Sequence, residues 1–193
     1  IQVYLRILLL SMGGRKMRQN MKNVSPMSNE GRNAYVIEHL TDALLTLLRG
    51  KSINDISIRE LCDSAGVGRA SFYRNYENKE DIIRQYIHRL FSEWTGGYGQ
   101  SDGKPISVWI QALFGHFERH WDFYRLLNER NLIYLLKDVI IGIFGPKPED
   151  SKGDAYAKAF AAYTLYGWIE VWFQRGMKDS SDEIAGLFKM QGL

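Results

Sequence analysis

His116 and His120 stand four residues apart with Glu118 between them, close to the spacing by which one helix face holds a metal ion. A zinc protease places the glutamate directly after the first histidine, as His-Glu-x-x-His; here it comes one position late and is turned off the metal face. Cys62 is the lone cysteine, and no Cys–His arrangement lies near it. There is no Gly-x-Ser-x-Gly nucleophile elbow, no phosphate-cradling glycine loop and no carboxylate pair beyond ordinary surface charge. The sequence therefore offers no catalytic set, no metal set and no cofactor site, and the expectation is a protein that is not an enzyme. A different chemistry is concentrated between Ser57 and Lys79, SIRELCDSAGVGRASFYRNYENK. Arg69, Ser71, Tyr73, Arg74 and Asn75 are side chains that hydrogen-bond to phosphates and base edges. Five of them within seven positions point to nucleic acid.

The elements that must position these groups can be read from spacing. Ser57 can cap a helix, and Glu60 three residues on has the spacing of a capping box. Ile58, Leu61, Cys62 and Ala65 give that helix one apolar face, with Cys62 a small buried filler. Gly66 stands where a helix end takes a left-handed residue, and Val67 plugs the turn. A second helix from Arg69 to Tyr76 turns Phe72 and Tyr76 inward, four residues apart. A short helix, a glycine turn and a polar second helix make a helix-turn-helix, whose second helix enters the major groove.

The stretch AGVGRASFYRNYENKEDII resembles the signature of the TetR/AcrR family of bacterial transcriptional regulators, close to AGVSxGTLYxHFxSKEEL. The likeness runs over roughly Asn33 to Trp94. It implies that Ser57, Arg69, Ser71, Tyr73, Asn75 and Lys79 sit where members of that family touch DNA, with Tyr73 and Lys79 on phosphates. Two departures stand out. Gly68 replaces a common Ser or Thr, which removes a helix cap and a phosphate contact. Arg74-Asn75 replaces a common His pair, which would alter base preference.

Net charge of +3 is a weaker guide than it looks. Residues 1–32 carry 6 Lys/Arg against 1 Asp/Glu, residues 33–95 carry 8 against 9, and residues 96–193 carry 11 against 12. Only the local cluster of Arg69, Arg74 and Lys79 speaks for DNA. One cysteine fits a reducing cytoplasm. The apolar run Ile1–Met12 is too short to span a bilayer and lacks the features of a secretory signal, so no membrane partner is expected. Residues 1–32 read as a basic arm, solvated and disordered or reaching the minor groove, with an opening dozen residues foreign to the native protein or forming a frayed helix.

From Asn33 to Arg49 an apolar stripe gives the helix on which the helix-turn-helix packs, ended by Gly50. Asn78 can cap a helix from Lys79 to about Trp94, and residues 33–94 form the DNA-binding domain with its linker helix. Residues 95–105, TGGYGQSDGKP, read as a loop and domain boundary. Residues 106–193 form a helical effector-binding and dimerisation domain, with helices near Ile106–Arg119, Asp122–Glu129, Asn131–Phe144, Asp154–Arg175 and Ser181–Met190. Ser180 and Glu183 repeat the capping-box spacing.

The chain after Thr95 holds 17 of the 25 aromatic residues. They read as a bulky core, or as a pocket between helices for a small apolar or aromatic effector, lined by Trp109, Phe114, Phe117, Trp121, Tyr124, Tyr163 and Tyr166. The tail YTLYGWIEVWFQRGMKDSSDEI resembles the C-terminal domain of a TetR subgroup common in Firmicutes, through Gly167, Trp172 and Gly176. That likeness implies a homodimer through the last two helices. Phe160, Gly167, Trp168, Val171, Trp172, Leu187 and Phe188 are the interface candidates, because the long helix is apolar nearly all round.

The expected fold is all-α and tetracycline-repressor-like, with an N-terminal three-helix DNA-binding domain and a C-terminal helical domain. The expected function is sequence-specific binding of palindromic double-stranded DNA by a transcriptional repressor that a small effector releases. The alternative is a TetR-like protein adaptor or co-activator that has lost DNA binding.

Overall fold

A computed structural model of the chain describes residues 28–97 and 105–191, and among these every regular element is helical. The expected all-α architecture is what is found, and no described helix is long and apolar enough to cross a membrane.

The first helix, α1, spans Asn29–Gly50. It starts four residues before the expected Asn33 because Ser28 caps it, its hydroxyl accepting from the Gly31 amide at 2.9 Å. Residues 29–32 are thus helix, not arm; the rest of the expected basic arm lies outside the described residues. Leu40, Ala43, Leu44 and Leu48 form its buried face. Its end also differs from expectation. Gly50 is still helical, and the cap is Lys51 in extended backbone. Arg130, from far along the chain, donates its Nε to the Leu48 carbonyl and its Nη2 to that of Arg49, each at 2.5 Å. These carbonyls lack partners within the helix, so the guanidinium does the work expected of the glycine.

A 3-10 turn, Ile53–Asp55, leads to α2, Ile58–Ala65, and α3, Arg69–Asn75. The α4 helix, Lys79–Gly97, follows after a cap in which Asn78 Oδ1 accepts from the Asp81 amide while Asp81 Oδ2 accepts from the Asn78 amide. It outruns the expected end at Trp94 because Trp94 is buried against Phe91 and Trp109, and Thr95 donates its hydroxyl back to the Ser92 carbonyl. The expected loop therefore begins at least three residues later than Thr95.

Five helices follow: α5 Ile106–Arg119, α6 Trp121–Glu129, α7 Tyr134–Phe144, α8 Lys152–Gln174 and α9 Ser181–Met190. Asn131 adopts a left-handed backbone (φ 57°), which is why α7 starts at Tyr134 and not at Asn131. In the chain, α9 lies on α5, α7 on α8, and α4 on both α1 and α7. Arg84 of α4 bridges Asp81 of its own helix and Asp138 of α7, at 2.9 and 3.2 Å.

Glu118, turned off the face of the two histidines, has a definite task. Its carboxylate accepts from the Ser181 amide and hydroxyl, at 2.7 and 3.0 Å, and so holds the N-terminus of α9. His116 is buried and its Nε2 lies 3.1 Å from the Tyr124 hydroxyl. Burial, aided by His120 and Arg119, lowers its pKa to about 3, so it is a neutral core residue.

Candidate nucleic-acid interface

The turn between α2 and α3 is built as spacing predicts. Gly66 is left-handed (φ 65°), its amide donates to the Asp63 carbonyl, and the Val67 amide donates to that of Cys62. A side chain at Gly66 would be strained, which is why glycine stands there. Leu61, Cys62, Ala65 and Phe72 are buried and lock α2 to α3, while Tyr76 caps α3 and closes the same core. Burial pushes the Cys62 thiol pKa up and keeps it a packing residue.

With Phe72 and Tyr76 turned inward, Arg69, Tyr73 and Arg74 are left exposed, Tyr73 by 60%. Among the described residues neither arginine has an ion-pair partner. Gly68 precedes α3 with no side-chain cap. A short helix bearing two unpaired guanidinium groups and a phenol can meet phosphates and the edges of bases.

Other expected contacts are placed differently. Ser57 is exposed and caps α2, its hydroxyl accepting from the Glu60 amide at 3.1 Å. The capping box is only half made: Glu60 turns to Lys51 Nζ at 2.5 Å, which lowers its pKa. Ser71 is half-buried, and its carbonyl accepts from Asn75 Nδ2 at 2.9 Å. Asn75 thereby satisfies the last turn of α3 with one of the two hydrogens of its side-chain amide. Lys79 is also engaged. Its Nζ donates to the Ile53 and Ile56 carbonyls, each at 2.5 Å, and ties the start of α4 to the loop before α2. The Ile53 carbonyl also accepts from the Ile56 amide, and charge-assisted bonds to it and to the Ile56 carbonyl explain why the ammonium points inward.

Residues 40–86 match the family model for bacterial regulatory proteins, tetR family. This segment is a tetR-family domain. It spans α1 from Leu40 through α2 and α3 to Tyr86 of α4, so the helix-turn-helix lies wholly inside it. The match supports a DNA-binding transcriptional regulator. Over a longer span, the fold is similar to the crystal structure of Lin0861 from Listeria innocua. The TM-score is 0.65 at 18% identity, covering 87% of this chain and 94% of that one. The tetR-family domain thus sits in a longer helical chain whose fold has a solved counterpart.

Outside the tetR-family domain the aromatic residues pack chiefly on one another. Trp109 lies against Trp94 and Phe144; Phe114 and Phe117 lie against Trp172; Tyr124 lies against Phe117 and is fully buried. Trp121 is half-buried at the rim, on Trp172. Tyr163 faces outward on α8, with Tyr166 buried on the next face. The seven effector candidates therefore divide between core positions (Trp109, Phe114, Phe117, Tyr124 and Tyr166) and the rim or surface (Trp121 and Tyr163). The interface candidates divide too. Val171 and Leu187 are exposed, with Phe160 also on the outside, and Gly167 has open space over it. Trp172 and Phe188 are core residues: the Trp172 indole donates to the Asp179 carbonyl at 2.7 Å, and Phe188 lies under Trp168.

Missed at the sequence level were Arg130, Glu118 and the Lys51–Glu60 pair. Arg130 and Glu118 act on backbone brought close only by the fold, and Lys51 shares no helix with Glu60, so no local spacing marks them.

Proposed function

We propose that the protein is a transcriptional repressor that binds palindromic DNA as a homodimer, with α3 in the major groove, and that a small effector releases it. The observation that carries the reading is the exposed, unpaired set Arg69, Tyr73 and Arg74 on a helix anchored by fully buried Phe72. Tyr73 serves as a phosphate contact, and Arg69 and Arg74 serve as base or phosphate contacts. An adaptor that had lost DNA would not need such side chains unpaired on the outer face of α3.

A second copy is supported by α8. Tyr156, Phe160, Tyr163, Gly167 and Val171 recur every three or four residues along its outer face, and Leu187 extends the stripe onto α9. An exposed apolar stripe of this length is a protein-binding surface, and Gly167 lets a partner helix approach closely.

Selection from a random DNA pool tests the whole reading. The expected product is an inverted repeat with half-sites about 10 base pairs apart or a multiple of that. Arg69→Ala should relax preference at one position per half-site, by about 1–3 kcal/mol. Val171→Asp with Leu187→Asp should keep the fold, yield monomers in sedimentation and lose the operator. No enriched sequence would sink the DNA reading and favour the adaptor.

A further inference from the structure

A cleft of about 320 Å³ opens between α1 and α4, behind the recognition helix and away from its DNA-facing side chains. Thr41 of α1 and Tyr76 at the end of α3 are buried and form its floor; Gln85, His88, Arg89 and Ser92 of α4 are its polar wall. Ile37 and the ring of Tyr86 add two apolar surfaces. The volume is at the small end of the range for small-molecule sites, roughly 300–1,000 Å³.

Two features of the cleft ask for a ligand. The Tyr76 hydroxyl is buried beside the Thr41 side chain and makes no well-formed hydrogen bond among the described residues. Thr41 beside it already donates to the Ile37 carbonyl at 2.7 Å. An unsatisfied buried hydroxyl costs about 1–3 kcal/mol, and most such groups in folded proteins are satisfied. Burial also raises the Tyr76 pKa, so the group stays a neutral donor. The second feature is charge. The Arg89 guanidinium lies 4.9 Å over the Tyr86 ring, and no lining residue carries a carboxylate. One fixed cation, one unsatisfied donor and two apolar faces match a small flat acid.

We propose that this cleft binds a small aromatic carboxylate, its carboxylate on Arg89 and the Tyr76 hydroxyl and its ring between Ile37 and Tyr86. Because the walls are α1, the end of α3 and α4, an occupant fixes how the recognition helix sits on the helix that leads into the C-terminal bundle. The site would then act on DNA affinity from within the tetR-family domain, apart from the aromatic core of the second half. Binding stands independently of the proposed function; only the coupling to DNA rests on it.

Benzoate and cinnamate are the probes, with benzamide as the uncharged control, read by thermal shift and titration calorimetry on the full chain. Both acids should raise the melting temperature in a saturable way, and benzamide should not. Arg89→Ala, at an exposed position, should weaken binding at least about tenfold, as loss of a charged hydrogen bond implies. Tyr76→Phe should weaken binding by about tenfold or more and leave the unliganded melting temperature unchanged or higher, because it deletes a donor that makes no well-formed bond. No shift with either acid, or an equal shift in Arg89→Ala, overturns the site. A clear fall in the unliganded melting temperature of Tyr76→Phe overturns the role of the hydroxyl. Operator affinity that does not respond to a saturating acid, with binding itself intact, overturns the coupling alone; loss of all operator binding by the free protein would instead overturn the proposed function.

Discussion

The helices up to Gly97 and those from Ile106 onward are held together by different means. The first group has a mostly aliphatic core, Leu40, Leu44, Leu48, Ile53, Ile56, Leu61, Ile82 and Ile83 around the buried ring of Phe72, and charged side chains bracket its loops: Lys51 on Glu60, Lys79 on two carbonyls, and Arg130, from the second group, on two more. The second group relies on ring against ring, with Phe114, Phe117, Tyr124, Trp172 and Phe173 in mutual contact. A small aliphatic core leaves little surface to spare, so the loops of the reading unit are fixed by hydrogen bonds and its functional side chains are free to face out. A large aromatic core fixes itself by area. Its aromatic density is a sign of packing, and what it leaves outside, on α8, is the informative part.

Deleting a ring from the second region should have the largest effect. Trp172→Ala removes a buried indole and its bond to Asp179, and should cost about 3–5 kcal/mol in denaturant unfolding. Retention of wild-type stability with loss of the dimer would return Trp172 to the interface and erase the distinction drawn here. A smaller loss should follow from unpinning a loop of the first region. Lys79→Met keeps the aliphatic stem and removes two charge-assisted bonds, for about 1.5–3 kcal/mol. If stability holds and DNA binding instead falls with a shallower salt dependence, the ammonium serves a phosphate and not the loop. The smallest effect concerns the missing cap of α3. There is open space where a side chain at Gly68 would go, so Gly68→Ser should stabilise by a few tenths of a kcal/mol. It should also tighten binding to all DNA sequences alike. A change in base preference would mean that the residue reads bases.

Much of the fold was legible where its signals are local. Gly66 is left-handed for the reason its place in the sequence implies, and Ser180 with Glu183 forms the complete capping box that their spacing predicts. The same spacing at Ser57 and Glu60 was only half informative, since Lys51 takes the carboxylate. Lys79 and Asn75 could be given a helix and a face but not a direction; the carbonyls that claim them are placed by turns in the fold. Periodicity failed on α8 for a related reason. A helix apolar on every side does not say which side the rest of the chain will cover. Ala161, Leu165, Ile169 and Trp172 went inward, and Tyr156, Tyr163 and Val171 stayed out.

The hold of Glu118 on Ser181, together with the Gln111–Asp182 bond, joins residues 63 and 71 positions apart. Around α2, α3 and the start of α4 the brackets span far less chain, 9 positions for Lys51 to Glu60 and 23 and 26 for the two bonds of Lys79; only the end of α1, held by Arg130 from 81 and 82 positions on, waits longer. Short loops close sooner than long ones. As the chain leaves the ribosome, everything that α2, α3 and the start of α4 need has already been made when α5 emerges, whereas α5 must wait for α9. The proposed recognition helix is therefore ready early, and the surface that would pair two copies comes last. Until α9 docks, the aromatic face of α5 lacks its cover, and that interval is when this chain is most exposed to aggregation.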